Sequence, residues 1–309
     1  MDSYNSSWNR KEKVVIIMGQ TGTGKSRLSI DLARRFSAEI INCDKIQVYK
    51  GLDIITNKVS QEEQSGIPHH LLGVINPNEE FTSSDFRRVA MHTIESILAR
   101  KRLPIIVGGS NSFIEALVDD DDLEFRSNYD CCFIWVDVSL PLLHSFVSKR
   151  VDQMVNFGLV NEVREFFEPS GDYTRGVRRA IGVPEMHQYF QLESSVDEET
   201  RVKLLEEAID EIKINTCTLT MRQLHKIYRL RSLPGWNIHR VNATEVFLLD
   251  GRDVDDAWDK IVVAPGTMIV AKFLYGSDDD QDQTADIVVP TTDSFLKNAI
   301  MGMVVAATQ

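Results

Sequence analysis

Apolar residues in this chain fall into short unbroken runs and longer runs of helical period, and the two kinds alternate from near the start to about residue 262. Residues 14–18, VVIIM, form an unbroken run, as a strand buried on both faces requires. A helical period follows through Arg27, Leu28, Ile30, Leu32, Ala33 and Phe36. Further strands are expected at 38–44, 103–107 and 132–138. Helices are expected at 85–100, capped by Ser83 or Ser84, at 111–118, and from Pro141 onward with Leu142, Leu143, Phe146, Val147, Val151 and Met154 facing inward. The longest helical pattern, 197–231, buries Leu204, Leu205, Ala208, Ile209, Ile212, Leu219 and Leu224. Pro234 and Gly235 end it, and WNIHRVNA reads as a last strand.

The first strand opens into a glycine loop, and this fixes the kind of α/β fold. Gly19, Gly24, Lys25 and Ser26 stand at the spacing G-x-x-x-x-G-K-[ST] between a buried strand and an amphipathic helix. Backbone N–H groups of such a loop converge on an anion, and the lysine adds a point charge. The expected architecture is therefore a P-loop NTPase-like, mostly parallel sheet flanked by helices, with a smaller mainly helical region. In such sheets ligands sit at the carboxyl ends of strands, which makes Asp44 a candidate either for holding Mg²⁺ or for accepting a proton. Asp137, near the end of the fourth strand, is a second candidate for the magnesium role. Gly108 and Gly109 form another strand-to-helix turn, where a ligand or the phosphate loop can come close to the backbone.

Composition narrows the class. The 309 residues, 43% of them hydrophobic, suffice for a full core, and no run reaches the ~18 apolar residues of a membrane span. A formal net charge of −12 argues against a protein built to neutralise a nucleic-acid backbone. The four cysteines, Cys43, Cys131, Cys132 and Cys217, show no zinc spacing and fit a reduced compartment, with Cys131 and Cys132 read as small core hydrophobes. His69 and His70, adjacent on an extended segment, face apart and make a poor metal pair. Residues 45–58 read as an irregular functional connection, residues 119–124 as a solvated acidic loop, and the Asp-rich stretch after Tyr275 as a mobile tail. Lys149 and Arg150 either form a solvated face or reach toward phosphate, and so does the stripe of Arg222, Lys226 and Arg229. The first residues are polar, with no apolar signal-peptide core.

The strings GQTGTGKS, EIINCDKIQVYKGLDIITNK, PHHLL, FTSSDFRR, LPIIVGGSNSF, GLVNEV and RRAIGVPE, in that order over about residues 14–230, resemble the adenylate isopentenyltransferases of plant cytokinin biosynthesis, relatives of tRNA dimethylallyltransferases. The combination of Asp44, Gln47, Tyr49, Asp53, Thr56 and Lys58 is the part least expected of a kinase. The resemblance implies transfer of a dimethylallyl group from dimethylallyl diphosphate to the N6 amine of adenine in ATP, ADP or AMP, the first step of cytokinin formation. It assigns catalysis to Asp44 as base with Thr21, Lys25 and Arg150. It places the donor diphosphate on Gly19, Gly22, Thr23, Gly24, Lys25, Ser26, Lys58 and Arg150, with Mg²⁺ on Ser26, and it sets Ser110 in the acceptor channel. Arg178, Arg179 and Lys226 are the basic residues available for the acceptor's outer phosphates. The implied division is a core of residues 13–140 carrying donor and acceptor sites, a helical region of 141–262 with the returning strand, and a tail of 276–309. The family also implies a plastid location, against the cytoplasm as the alternative. A tRNA acceptor is disfavoured because the helical insertion and zinc finger of the tRNA enzymes have no counterpart between Val118 and Tyr129 or in the cysteine spacing. A P-loop kinase or NTPase is the competing reading, and a nucleotide-binding regulatory domain without turnover a further one. Oligomeric state is left open.

Overall fold

A computed structural model describes residues 11–119, 124–251 and 253–276. The elements run β1 (Glu12–Gly19), α1 (Lys25–Phe36), β2 (Ala38–Asn42), α2 (Gln61–Gln64), β3 (His69–His70), α3 (Ser83–Ala99), β4 (Leu103–Val107), α4 (Asn111–Val118), α5 (Glu124–Asn128), β5 (Tyr129–Asp137) and α6 (Leu140–Asn156). They continue with α7 (Leu159–Arg164), α8 (His187–Leu192), α9 (Glu198–Arg231), β6 (Ile238–Asn242), α10 (Asp253–Trp258), a π-helical turn (Asp259–Val263) and α11 (Ala264–Tyr275). The chain divides into compact units Met1–Phe273 and Leu274–Gln309. The expected tail lies outside the described residues beyond Gly276, as do residues 120–123 of the acidic loop and the first ten residues.

Six parallel strands stand in the order β3-β2-β4-β1-β5-β6, which puts the loop-bearing strand near the centre. Ile16 lies opposite Ile106 on one side and Phe133 on the other. Such a strand can be apolar throughout because helices cover both faces. Val14, Ile16 and Met18 join a core with Phe86, Ile94, Phe113, Ile212 and Leu224, while Val15 and Ile17 point the other way and are equally buried. All six strands deliver their carboxyl ends to one edge of the sheet, so the loops after β1, β2 and β4 are neighbours.

Local chemistry accounts for the differences from expectation. Thr82, not Ser83 or Ser84, caps α3, in a reciprocal capping box with Asp85. On α6, Phe146 is 42% exposed and stacks edge-on against Phe247 rather than entering the core. On α9, Leu204, Leu205, Ile209 and Leu219 are only half-buried, while Ala208, Ile212 and Leu224 are buried. The two histidines form β3 and do face apart: His69 Nδ1 meets the Ile67 carbonyl at 2.8 Å, and His70 Nε2 meets Glu39 Oε2 at 2.8 Å. Glu39 also accepts from Arg100 Nε and Nη2 at 3.0 and 2.6 Å, bonds that hold its carboxyl below the usual range. Asp119 accepts from Arg126 Nε and Trp236 Nε1, both at 2.7 Å, and so closes α4 against the rest of the core.

Candidate active site

The loop after β1 is built as its glycines require. Gly22 and Gly24 have φ of 87° and 89°, where a side chain is strained, and a Cβ on Gly24 would lie 2.5 Å from the Trp258 ring. Trp258 therefore backs the start of α1; it donates Nε1 to Asp31 Oδ2 at 2.9 Å, and Arg27 stacks 4.8 Å above its ring. Thr23 is buried and closes the loop on itself, its Oγ1 donating to the Gln20 carbonyl at 3.0 Å. Lys25 Nζ donates to the same carbonyl at 2.6 Å. Burial lowers its pKa from 10.5 to about 8, with Asp44 pulling it up and Arg150 pushing it down. Ser26 follows, half-buried, in the first turn of α1.

Of the basic pair on α6, Lys149 is exposed and Arg150 turns inward. Arg150 Nη2 donates to Thr21 Oγ1 at 3.0 Å, and its Nε is buried without a partner. Burial brings its pKa down to about 10. An unpartnered guanidinium N–H buried beside such a loop costs free energy, which an anion accepting it would offset. Spacing alone left this residue undecided between solvated face and phosphate, while the family resemblance set it on the diphosphate; its inward position supports the second.

Asp44 stands just past the end of β2. Its Oδ1 accepts from the amides of Ile46 and Gln47 at 2.8 and 3.2 Å, an Asx turn that fixes the carboxylate's direction. Ser110 faces it across the sheet edge, its Oγ accepting the Lys45 amide at 2.9 Å. A Cβ on Gly108 would sit 1.9 Å from the Cys43 carbonyl oxygen, so the turn after β4 is pressed against the end of β2. The other strand-end acid is paired: Asp137 Oδ2 accepts Arg240 Nε and Nη2 at 2.8 and 2.5 Å. That ion pair engages one oxygen of the carboxylate that the sequence offered as a second candidate for the magnesium role.

Lys58 closes the connection from residue 45, donating Nζ to Asp53 Oδ1 at 2.6 Å and to the Gly51 carbonyl. Gln47 Nε2 ties the same stretch through the carbonyls of Thr56 and Asn57 at 3.0 and 3.1 Å. Glu162 of α7 accepts the amides of Ile54 and Ile55 at 2.8 and 2.9 Å, a clamp that residue patterns gave no sign of. This connection and α6 enclose a cavity of ≈ 950 Å³ whose walls include Lys58 and Arg150.

The other basic residues separate. Lys45 has its pKa lowered by burial first and then by Arg179, with Lys226 and Arg222 also contributing and Asp44 opposing. These four cations thus share one electrostatic neighbourhood on the Asp44 side. Arg179 Nη2 donates to the Tyr49 hydroxyl at 3.4 Å. Arg178 is engaged elsewhere, with Asn78 Oδ1 at 2.6 Å and Glu168 Oε2 at 3.0 Å, and Arg229 pairs with Glu115.

A model of the family described as IPP transferase matches residues 47–126 and 120–228. Adenylate isopentenyltransferase 5, chloroplastic, of Arabidopsis thaliana is 58% identical, over 92% of this chain and 86% of its own length. The chain belongs to the adenylate isopentenyltransferases. More distant within the wider family is tRNA dimethylallyltransferase 2 of Arabidopsis thaliana, 32% identical over 86% of this chain and 81% of that one. Among solved structures, a eukaryotic dimethylallyltransferase acting on tRNA superposes with a TM-score of 0.74, covering 89% of this chain and 82% of that one at 24% identity, which establishes the shared fold. The P-loop-like architecture and the isopentenyltransferase assignment expected from the sequence therefore hold together.

Proposed function

We propose that this isopentenyltransferase moves a dimethylallyl group from dimethylallyl diphosphate to the N6 amine of a free adenine nucleotide. The observation that carries the reading is the buried Arg150, with its orphaned Nε, on one side of the loop at Thr21, and Asp44 aimed by its Asx turn on the other. The loop, Lys25, Arg150 and Lys58 take the diphosphate, while Asp44 and Ser110 face the purine. The N6 lone pair forms the new bond to the allylic carbon as the carbon–oxygen bond breaks, and that electron pair leaves with the diphosphate. Asp44 accepts the proton that N6 sheds. An exocyclic amine is a weak nucleophile because its lone pair is delocalised, so this proton transfer is worth ~10²–10⁴-fold. Lys25 and Arg150 stabilise the charge that gathers on the leaving oxygen.

The residues also fit a magnesium ion. Mg²⁺ prefers hard oxygen and is usually held by one or two protein groups together with substrate phosphates. The Ser26 hydroxyl beside Lys25 is such a group, and the described residues contain no cluster of three His, Cys, Asp or Glu to hold a metal by themselves. Bound there with the diphosphate, the ion supplies further neutralisation of the leaving group.

A free nucleotide is favoured over tRNA on two grounds. The alignment with the tRNA enzyme runs over 380 positions against 309 residues here, so that enzyme carries insertions absent from this chain. A net charge of −12 also argues against a chain built to neutralise an RNA backbone. Lys45, Arg179, Lys226 and Arg222 form the neighbourhood for the acceptor's outer phosphates, which favours ATP or ADP over AMP. Residues 13–140 in this scheme supply Asp44, the loop and Lys45, and 141–262 supply Arg150 and the other outer cations. The chloroplastic relative points to a plastid location. Mass spectrometry after incubation with Mg²⁺, dimethylallyl diphosphate and each nucleotide in turn tests the reading. A mass gain of one dimethylallyl group on ATP, ADP or AMP supports it, and phosphoryl transfer or ATP hydrolysis without the prenyl donor replaces it with a kinase or NTPase.

A further inference from the structure

Gln223, on α9, is buried among groups that belong to both halves of the site. Its Oε1 accepts the Thr21 amide at 2.7 Å, and its Nε2 donates to the Gly109 carbonyl at 3.0 Å. Its own carbonyl accepts Asn111 Nδ2 at 3.0 Å. A Cβ on Gly109 would lie 2.3 Å from Nε2, so the turn rests directly on the side-chain amide. Thr21 belongs to the donor loop and takes the Arg150 guanidinium on its hydroxyl. Gly109 precedes Ser110, which fixes the backbone beside Asp44. Both neighbours are thus attached to the two ends of one planar group.

We propose that Gln223 is a positioning residue that sets the spacing between the amine of the acceptor and the allylic carbon of the donor. A carboxamide presents one acceptor and one donor at a fixed separation, so the loop and the turn cannot slide independently while both bonds hold. The arrangement also withdraws the Thr21 N–H from the anion that loops of this type usually address. One amide of the loop thus serves alignment instead of phosphate binding. Displacement at carbon is steep in geometry: reacting atoms must come within ~3–3.5 Å, and a shift of about 1 Å can cost ~10²-fold. Misalignment should also leave room for water. In that side reaction a water oxygen bonds to the allylic carbon, the carbon–oxygen bond to diphosphate breaks, and the water's proton passes to solvent, giving dimethylallyl alcohol and diphosphate.

This inference rests on the reading of the chain as a prenyl transferase to adenine nucleotides, and the ratio of two products separates their failures. Gln223→Met keeps the volume and removes both bonds, whereas Gln223→Glu keeps an acceptor for Thr21 and turns a carboxylate oxygen on Gly109. With Mg²⁺, dimethylallyl diphosphate and ATP, the expected result is a transfer rate lowered by ~10–100-fold, KM values within about threefold of wild type, and a ratio of alcohol to prenylated nucleotide raised about tenfold or more. Gly109→Ala, which drives a methyl group against Nε2, should raise the same ratio and serves where a Gln223 variant does not fold. Transfer and hydrolysis falling in proportion, or a wild-type ratio in all folded variants, would overturn the positioning role while leaving the reaction standing. Absence of prenylated nucleotide from the wild-type protein would overturn both.

Discussion

Asp44 is aimed by two backbone amides on one oxygen, so replacing it with Asn preserves much of the turn and removes the proposed base. Asp44→Asn is expected to lower kcat by at least ~10²-fold with both substrates saturating; near-normal turnover would show that the proton goes elsewhere. Lys25 carries a different signature. The fall from 10.5 to about 8, the balance of burial and Arg150 against Asp44, corresponds to about 3 kcal/mol by which the folded site disfavours the ammonium. Between about pH 8 and 10.5 the unfolded chain binds a proton that the empty folded site does not. This lysine's cost to the fold is therefore full below that window and disappears as pH rises through it. A diphosphate reverses the balance by favouring the charged form. Calorimetry at pH 8 in buffers of different ionisation enthalpy should show net proton uptake when dimethylallyl diphosphate binds, and Lys25→Met should abolish it; no buffer dependence in the wild type would contradict the low value. The loop and the strand-end place of Asp44 were legible in the sequence because spacing and strand ends announce them, whereas Ser110 was reached only through the family resemblance. Gln223 and Glu162 were not, since a buried glutamine and a surface-helix glutamate gain meaning only from backbone atoms far away in sequence.

Elements read well where their ends carry chemistry. The helix expected at 197–231 is α9, Glu198–Arg231, with the Asp197 side chain accepting the Thr200 amide. By contrast, α7 and α10 are short and their roles come from packing, which periodicity over six residues cannot announce. From α7, Glu162 holds the amides of Ile54 and Ile55 and with them the segment bearing Asp53 and Lys58. Glu162→Ala leaves both amides without that acceptor, costing ~1–3 kcal/mol of stability. It should raise KM for dimethylallyl diphosphate more than KM for ATP, and an equal rise in both, with unchanged melting, would deny it this place. From α9, Lys226 and the nearby Arg179 share the field around Lys45. Each exposed contact is worth ~1 kcal/mol or less, so Lys226→Ala and Arg179→Ala should each reduce kcat/KM for ATP by about fivefold while sparing AMP. Equal effects on the two nucleotides would remove these residues from the phosphate site.

At the scale of the molecule, the alternation of apolar runs was enough to give the class of fold, because a parallel sheet buried on both sides writes itself as unbroken strands separated by helices. Strand order was not written there; it depends on pairings between segments far apart in the chain. The central place of β1 has a consequence in time. Its partners are β4 and β5, so nothing in residues 20–102 can satisfy the edges of Glu12–Gly19. During synthesis at ~5–20 residues per second, this apolar strand emerges first and waits on the order of ten seconds for a neighbour. Nascent chains arrested before Leu103 has left the ribosome should therefore sediment or bind chaperones, whereas chains arrested after Asp137 has emerged should be soluble and resist protease at β1. The loop proposed to hold the diphosphate follows β1 directly, and until the middle of the chain arrives that strand is the part most exposed to misassembly.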